Sequence, residues 1–247
     1  YNAELVEAGQ RLSQRHGLQA EHRLQDVLCA STANHLQAEH SPVALHACGD
    51  LHTQLMQLAS AAGCKQLAIA PCCYNRTLHE RYQPLSAAAQ DSLLRLSKDD
   101  LGMLQCETVT AGQRVRRQRN QSMAWRLAFD LLQRDIRGVN EYLPTPSLSP
   151  AWLQQSFPAY CAELARMKGI CINGGHDWQK LESAGWQRLA QVRNLELVRS
   201  LFRRPLEVWL ILDRALYLKA QGYDVKLGSF CETRLTPRNL LLLAERT

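Results

Sequence analysis

Apolar residues recur at helical spacing across residues 2–16, where Leu5, Ala8 and Leu12 share a face and Gly17 supplies a left-handed stop, so a helix is expected there. Residues 20–28 form a short mixed run read as a first strand, with a small helix expected around residues 30–39. A compact apolar run at Val43, Ala44 and Leu45 predicts a second strand, ending at His46, Ala47, Cys48, Gly49 and Asp50. Asp50 is suited to cap a helix carrying Leu51, Leu55, Leu58 and Ala62 and closed by Gly63. Residues 66–70 then read as a third strand, with Pro71, Cys72, Cys73, Tyr74 and Asn75 at its exit.

Helix and strand alternating at this spacing imply an α/β fold with a mostly parallel sheet, and such sheets place ligands at the carboxyl ends of their strands. Both unusual segments, residues 46–50 and 71–75, fall at such ends. Toward the C-terminus, Pro205 is expected to open a helix carrying Leu206, Trp209 and Leu210 and closed by Gly222. Strands are expected at residues 225–230 and 240–244, the last antiparallel and buried through Leu240, Leu241, Leu242 and Leu243, after a turn at Thr236 and Pro237. Between these parts, residues 76–202 show helical periodicity with hardly any strand signal, broken by Pro144, Pro146 and Pro150. The expected organisation is a sheet-bearing core from residues 1–75 and 203–247, with a large helical insertion at 76–202.

Composition changes this picture little. Apolar residues at 46% and charged residues at 21% are those of an ordinary folded chain. No apolar run approaches the roughly 20 residues of a membrane-spanning helix, so no membrane association is expected. Lys and Arg number 29 against 23 Asp and Glu, a formal charge of +6 that suits an anionic partner. Nine cysteines, an odd count without a C-x-x-C pair, argue for reduced thiols in the cytoplasm. No signal-peptide pattern is visible.

The segments Leu45-His-Ala-Cys-Gly-Asp-Leu and Ala70-Pro-Cys-Cys-Tyr-Asn resemble the class I methyltransferase domain of the glutathione S-transferase C-terminal-domain-containing proteins and their bacterial relatives. In that family a His-Ala-Cys-Gly segment precedes a Pro-Cys-Cys-Tyr segment. Leu212-Asp-Arg-Ala, Gly222-Tyr-Asp-Val and Thr236-Pro-Arg-Asn-Leu look like its final helix and closing hairpin. More distantly, His-x-Cys-Gly followed by a Cys-Cys pair is similar to eukaryotic tRNA 2′-O-methyltransferases that modify the acceptor stem. The resemblance implies a Rossmann-like sheet of the class I type and S-adenosylmethionine as methyl donor. No Gly-x-Gly occurs in the chain, so the family's first strands and glycine-rich turn are expected to be missing, and with them tight cofactor binding.

By the same resemblance, Asp26 and Val27 fall where an acid accepts a hydrogen bond from the adenine amino group, the other reading being a solvated loop acid. His46, Ala47, Cys48 and Gly49 would border the methionine end of the cofactor, with Gly49 permitting close approach. His46 is either a hydrogen-bonded core histidine or a base for a hydroxyl or amine nucleophile. Cys48, Cys72 and Cys73 leave three readings open: apolar packing, zinc binding with His46, and participation in methyl transfer through a thiolate. Adjacent cysteines in an extended strand point in opposite directions, so no metal is expected. Tyr74 and Asn75 would hold the acceptor by stacking and amide hydrogen bonds.

Arg114, Arg116, Arg117 and Arg119, followed by Arg126, Arg134 and Arg137, form a basic helical segment faced by only Asp130 and Asp135. It is either a solvated face or a phosphate-binding surface for RNA that Arg203 and Arg204 would extend. Trp125 and Phe129 are expected inside the insertion's core. Two functions compete: a methyltransferase acting on RNA such as tRNA, and a binding module for nucleic acid or protein that keeps the fold without catalysis.

Overall fold

The structure is a computed structural model that describes residues 2–105 and 112–247; Cys106, one of the nine cysteines, lies outside the described residues. The chain divides into two compact units, Tyr1–Glu107 with Arg203–Thr247, and Thr108–Phe202.

In the first unit, helix α1 (Ala3–Arg15) starts where the Asn2 side chain accepts from the Glu4 and Leu5 N–H groups, satisfying donors that the first turn leaves open. Strand β1 (Val43–Ala47) crosses over through helix α2 (Asp50–Ala61) to strand β2 (Gln66–Pro71), and the two strands pair in parallel. Strands β3 (Tyr223–Ser229) and β4 (Leu240–Arg246) form an antiparallel hairpin, and β4 inserts antiparallel beside β2. The sheet order is therefore β1-β2-β4-β3.

The last strand is antiparallel as expected, but the sheet is mixed rather than mostly parallel, with one parallel and two antiparallel pairs; β3 and β4 are too close in sequence for a parallel crossover. The first expected strand, residues 20–28, does not form. Its backbone is held by local turns instead, with Cys29 N–H donating to Asp26 O at 3.0 Å and Leu28 N–H to Asp26 Oδ1 at 3.0 Å.

Leu67 and Ile69 of β2 and Leu240, Leu242 and Ala244 of β4 face one side of the sheet, where Met56 and Ala59 of α2 pack. In β4 burial alternates, so Leu243 is exposed and Leu241 half-buried, contrary to the expected four-leucine burial. Helices α3 (Ala87–Asp91) and α4 (Lys98–Gly102) follow β2. Residues 76–105 belong with the sheet-bearing unit, so the insertion expected to begin at residue 76 starts later, at Thr108. The cause is a small core of Leu96, Leu101 and Leu104 packed with Tyr74, Leu206 and Leu210. Within residues 76–202, the extended pairing among the described residues is a single bridge, Arg81 with Ser97.

The second unit carries helices α5 (Gln113–Arg137) and α6 (Phe157–Lys168) and the first part of α7 (Trp178–Ala220). Trp125 and Phe129 pack there with Phe157, Tyr160 and Leu164, as their apolar bulk led one to expect. Helix α7 runs through Pro205 rather than starting at it. Arg203 and Arg204 precede that proline where a helix start would want Ser, Thr, Asp or Asn, so nothing there ends the helix upstream. No helix among the described residues is long and apolar enough to cross a membrane.

Candidate active site

The crossover from β1 to α2 and the exit of β2 meet at the carboxyl ends of the parallel pair. At the end of β1 the register slips between Leu45 and Ala47, and His46 takes φ 58°. A positive φ is costly for a residue with a Cβ, and such strain collects at functional sites. Gly49 follows with φ 55°, and a Cβ there would lie 1.8 Å from Arg76 O. Its missing side chain thus lets the chain approach its own turn. Asp50 is the first residue of α2 rather than its cap: its N–H donates to Arg76 O at 3.0 Å and its carboxylate accepts from Leu78 N–H at 2.9 Å.

β2 ends at Pro71, so Cys72 and Cys73 lie beyond the sheet ladder. The thiols of Cys48, Cys72 and Cys73 lie within 4.8 Å of one another, and Cys48 Sγ is 2.9 Å from Cys72 Sγ. The eight described cysteines are all free thiols. Burial first, then hydrogen bonds with Cys48 and Cys73, pushes the Cys72 thiol well above its ordinary range. At neutral pH Cys72 is therefore a protonated thiol and not a nucleophilic thiolate.

A cleft of about 300 Å³ opens beside these ends, with Gly49, Asp50, Gln54, Tyr74, Tyr82 and Arg214 in its walls. Of the residues expected from sequence, Gly49 and Tyr74 line it. His46 is exposed at the strand end, Ala47 and Asn75 are half-buried, and Asp26 and Val27 sit in the turn that precedes Leu28, another cleft residue. Tyr74 is buried, with its ring edge-on to His52 and the Arg214 guanidinium 4.9 Å from its centroid. Arg214 covers one ring face, and at 4% exposure the ring offers little surface for the expected stacking on a planar acceptor. Its hydroxyl, by contrast, is buried with no hydrogen-bond partner, and burial raises its pKa. The cleft thus combines an orphaned phenol with a carboxylate and amide groups, a donor and acceptor set that fits a polar organic cofactor.

Beneath the cleft lies a network that sequence reasoning missed. Arg214 Nε donates to His52 Nε2 at 3.1 Å, and since a guanidinium only donates, Nε2 must accept. His52 therefore carries its proton on Nδ1, which donates to Ala47 O at 3.0 Å and holds the carbonyl just before Cys48. Burial first, and then the Arg214 charge, drives the His52 pKa down to about 3, so the ring is neutral. Arg214 also donates to Tyr82 Oη, which donates to Asp213. Asp213, buried at 2% exposure, further accepts from Ser86 N–H at 2.8 Å, Ser86 Oγ at 2.6 Å and Leu85 N–H at 3.0 Å. The available signal was an adjacent acid and base, Asp213 and Arg214, embedded in an otherwise apolar helical run: buried charges must be paired.

In the second unit, Arg114, Arg116, Arg117 and Arg119 are exposed on α5. The later arginines of the same helix are engaged, Arg126 with Thr145 and Arg134 with Asp130.

Residues 1–80, about a third of the chain, match a family model described as a methyltransferase domain, which supports a methyltransferase domain over that stretch. Both strand-end segments lie inside the matched region. No curated protein and no solved structure matches the chain.

Proposed function

We propose that the protein is an S-adenosylmethionine-dependent methyltransferase of the class I type that acts on RNA. The observation that carries this reading is the methyltransferase-domain match over residues 1–80, which takes in β1, α2, β2 and both of their exits. The hairpin that sets β4 between β2 and β3 agrees with the closing hairpin that the sequence resemblance implies. The cofactor supplies an electrophilic methyl group on a sulfonium. Asp26 would bind its adenine amino group, and the backbone of Ala47, Cys48 and Gly49 its methionine end.

His46, strained and exposed at the end of β1, is the base that takes a proton from the acceptor hydroxyl or amine. His52, neutral and locked by Arg214, positions the Ala47 carbonyl and acts through it. Cys48, Cys72 and Cys73 shape the acceptor side without a metal, Cys72 as a protonated thiol. Asn75 reads the acceptor edge. Arg114, Arg116, Arg117 and Arg119 attract the RNA backbone without reading sequence.

The test is incubation of the protein with S-adenosylmethionine labelled on its methyl group and with cellular RNA, protein and small-molecule fractions. This chain, which has no Gly-x-Gly, is expected to bind the cofactor weakly and transfer little alone; in a longer form in which calorimetry shows the cofactor bound, label should enter RNA, and His46→Ala should slow transfer about 100-fold while leaving the circular dichroism spectrum and cofactor affinity unchanged. Label in no fraction, with the cofactor bound, would favour a binding module without catalysis.

A further inference from the structure

The thiols at the strand ends are placed for more than packing. Cys48 and Cys72 each lie one residue beyond Ala47 and Pro71, the last paired residues of β1 and β2. Neighbouring strands run about 4.8 Å apart, inside the roughly 4.4–6.8 Å between Cα atoms that a disulfide spans. The sulfurs already face each other: Cys48 Sγ is 2.9 Å from Cys72 Sγ, and Cys73 Sγ lies within 4.8 Å of both. The backbone around them is held. Leu51 N–H donates to Cys48 O at 3.2 Å, Arg76 N–H to Cys73 O at 3.2 Å, and Asp50 N–H to Arg76 O at 3.0 Å, which ties one turn to the other. Joining Cys48 to Cys72 therefore asks for a movement of side chains and not of the chain.

The thiol hydrogens have an order. Cys48 Sγ donates to His46 O at 3.4 Å, which uses its one hydrogen, so between the two sulfurs Cys72 donates and Cys48 accepts. Burial first, then its hydrogen bonds with Cys48 and Cys73, keeps Cys72 a thiol. Cys72 is 4% exposed whereas Cys48 is half-buried, so a reagent from solvent meets Cys48 first. The relay from Cys72 through Cys48 ends on His46, the residue with φ 58°. A disulfide removes both hydrogens, and with them the bond that Cys48 gives the His46 carbonyl.

We propose that Cys48 and Cys72 form a reversible disulfide that switches the strand-end site off, with hydrogen peroxide as the oxidant. In the first step one peroxide oxygen passes to Cys48 Sγ: the O–O bond breaks, an S–O bond forms, and the other oxygen leaves as water with the thiol hydrogen. In the second step Cys72 Sγ attacks the sulfenic sulfur of Cys48, the S–S bond forms, and the sulfenic oxygen leaves as water with the Cys72 hydrogen. The two sulfurs together give up two electrons, and peroxide takes them. The effect on methyl transfer rests on the methyltransferase reading; the disulfide itself does not.

The experiment treats the reduced protein, without cofactor or RNA, with a slight excess of hydrogen peroxide, blocks the remaining thiols with iodoacetamide and maps disulfides by peptide mass. Cleavage after Lys65 puts Cys48 and Cys72 in different peptides, and fragmentation tells Cys72 from Cys73. A Cys48–Cys72 link should dominate and disappear with dithiothreitol. In Cys72→Ser, dimedone should trap about 10-fold more sulfenic acid at Cys48 than in wild type. Because Cys72 is buried, the unfolding midpoint of that variant is measured alongside, and the wild-type map carries the test if the midpoint falls. A link to Cys73 instead, a link between chains, or Cys48 left reduced overturns the proposal. The His46 ring resonance, followed by NMR, should move on oxidation and return on reduction; an unmoved resonance in the linked protein overturns the switch. In the cofactor-binding form, methyl transfer should fall about 10-fold or more on oxidation and recover with dithiothreitol, and unchanged transfer also overturns the switch. A reversible link that moves His46 in a protein whose reduced, cofactor-bound form transfers no methyl group would sink the methyltransferase reading alone.

Discussion

The neutral, buried His52 makes the sheet-bearing unit acid-labile over a defined window. Its ring has an ordinary pKa of 6.5 in the unfolded chain and about 3 in the folded one. The unfolded state therefore binds a proton that the native state refuses, so the stability is fully present above pH 6.5 and is lost progressively as pH falls toward 3. From pH 7 to pH 5 the linkage works out to about 2 kcal/mol, at roughly 1.4 kcal/mol per unit once below the unfolded pKa. The matching perturbation is His52→Gln, whose amide can still donate toward Ala47 O and accept from Arg214 but cannot titrate. Urea unfolding at both pH values, read from the NMR signal of the Met56 methyl in the core beside β2, reports the right unit. Wild type should lose about 2 kcal/mol more than His52→Gln between pH 7 and pH 5. Equal losses in the two proteins, or a His52 resonance that titrates near 6.5, would show that Arg214 and burial do not hold the ring neutral.

Removing the Asp213 carboxylate should be the most damaging change in the same network. Asp213→Ala strands a buried Arg214 and frees Ser86 and Leu85, and should cost about 3–5 kcal/mol, seen as a lowered urea midpoint and early proteolysis within residues 76–105. Gly49→Ala places a Cβ 1.8 Å from Arg76 O in a backbone of positive φ, so the protein should unfold at least 2 kcal/mol more easily or fail to accumulate; a near-neutral midpoint would contradict the close approach of the two turns. In the second unit, a Cβ on Gly185 would meet Ala124 O at 2.4 Å, so Gly185→Ala should destabilise that unit by about 1–3 kcal/mol, as followed by the fluorescence of Trp125. Iodoacetamide at pH 8 should modify Cys29, which is exposed, well before the buried and protonated Cys72, by peptide mass analysis; simultaneous modification would contradict the packing of the strand ends.

What the sequence revealed follows from how local each signal is. The helix after Asn2, the strand at Val43, the helix ending before Gly63 and the strand after Gln66 are each set by periodicity and caps within a dozen residues, and each is present. The strand expected at residues 20–28 failed because the side chains of Gln25, Asp26 and Thr32 satisfy the backbone locally, an option that β propensity does not weigh. The start of the insertion failed for a different reason. Residues 76–105 look helical and polar in isolation, and contacts distant in sequence attach them to the sheet-bearing unit: Asp213 reaches Leu85 and Ser86, 127 or 128 positions away, and Leu96, Leu101 and Leu104 pack on Leu206 and Leu210.

The strand-end cluster shows where such reasoning breaks at the candidate site. Alternation of side chains in an extended strand separates Cys72 from Cys73, and that logic argued against zinc binding by His46 with the three thiols, not against their convergence. Yet β2 stops at Pro71, whose ring cannot donate to a further ladder bond, and the two cysteines enter a turn that closes with Arg76 N–H on Cys73 O at 3.2 Å. The turn brings both thiols to Cys48, and the same turn presents Arg76 O to Asp50 and forces Gly49 to be glycine. Proline, cysteine pair and glycine are therefore one structural device: the proline ends the strand, the turn gathers the sulfurs, and the glycine lets the neighbouring strand end come close enough to share them.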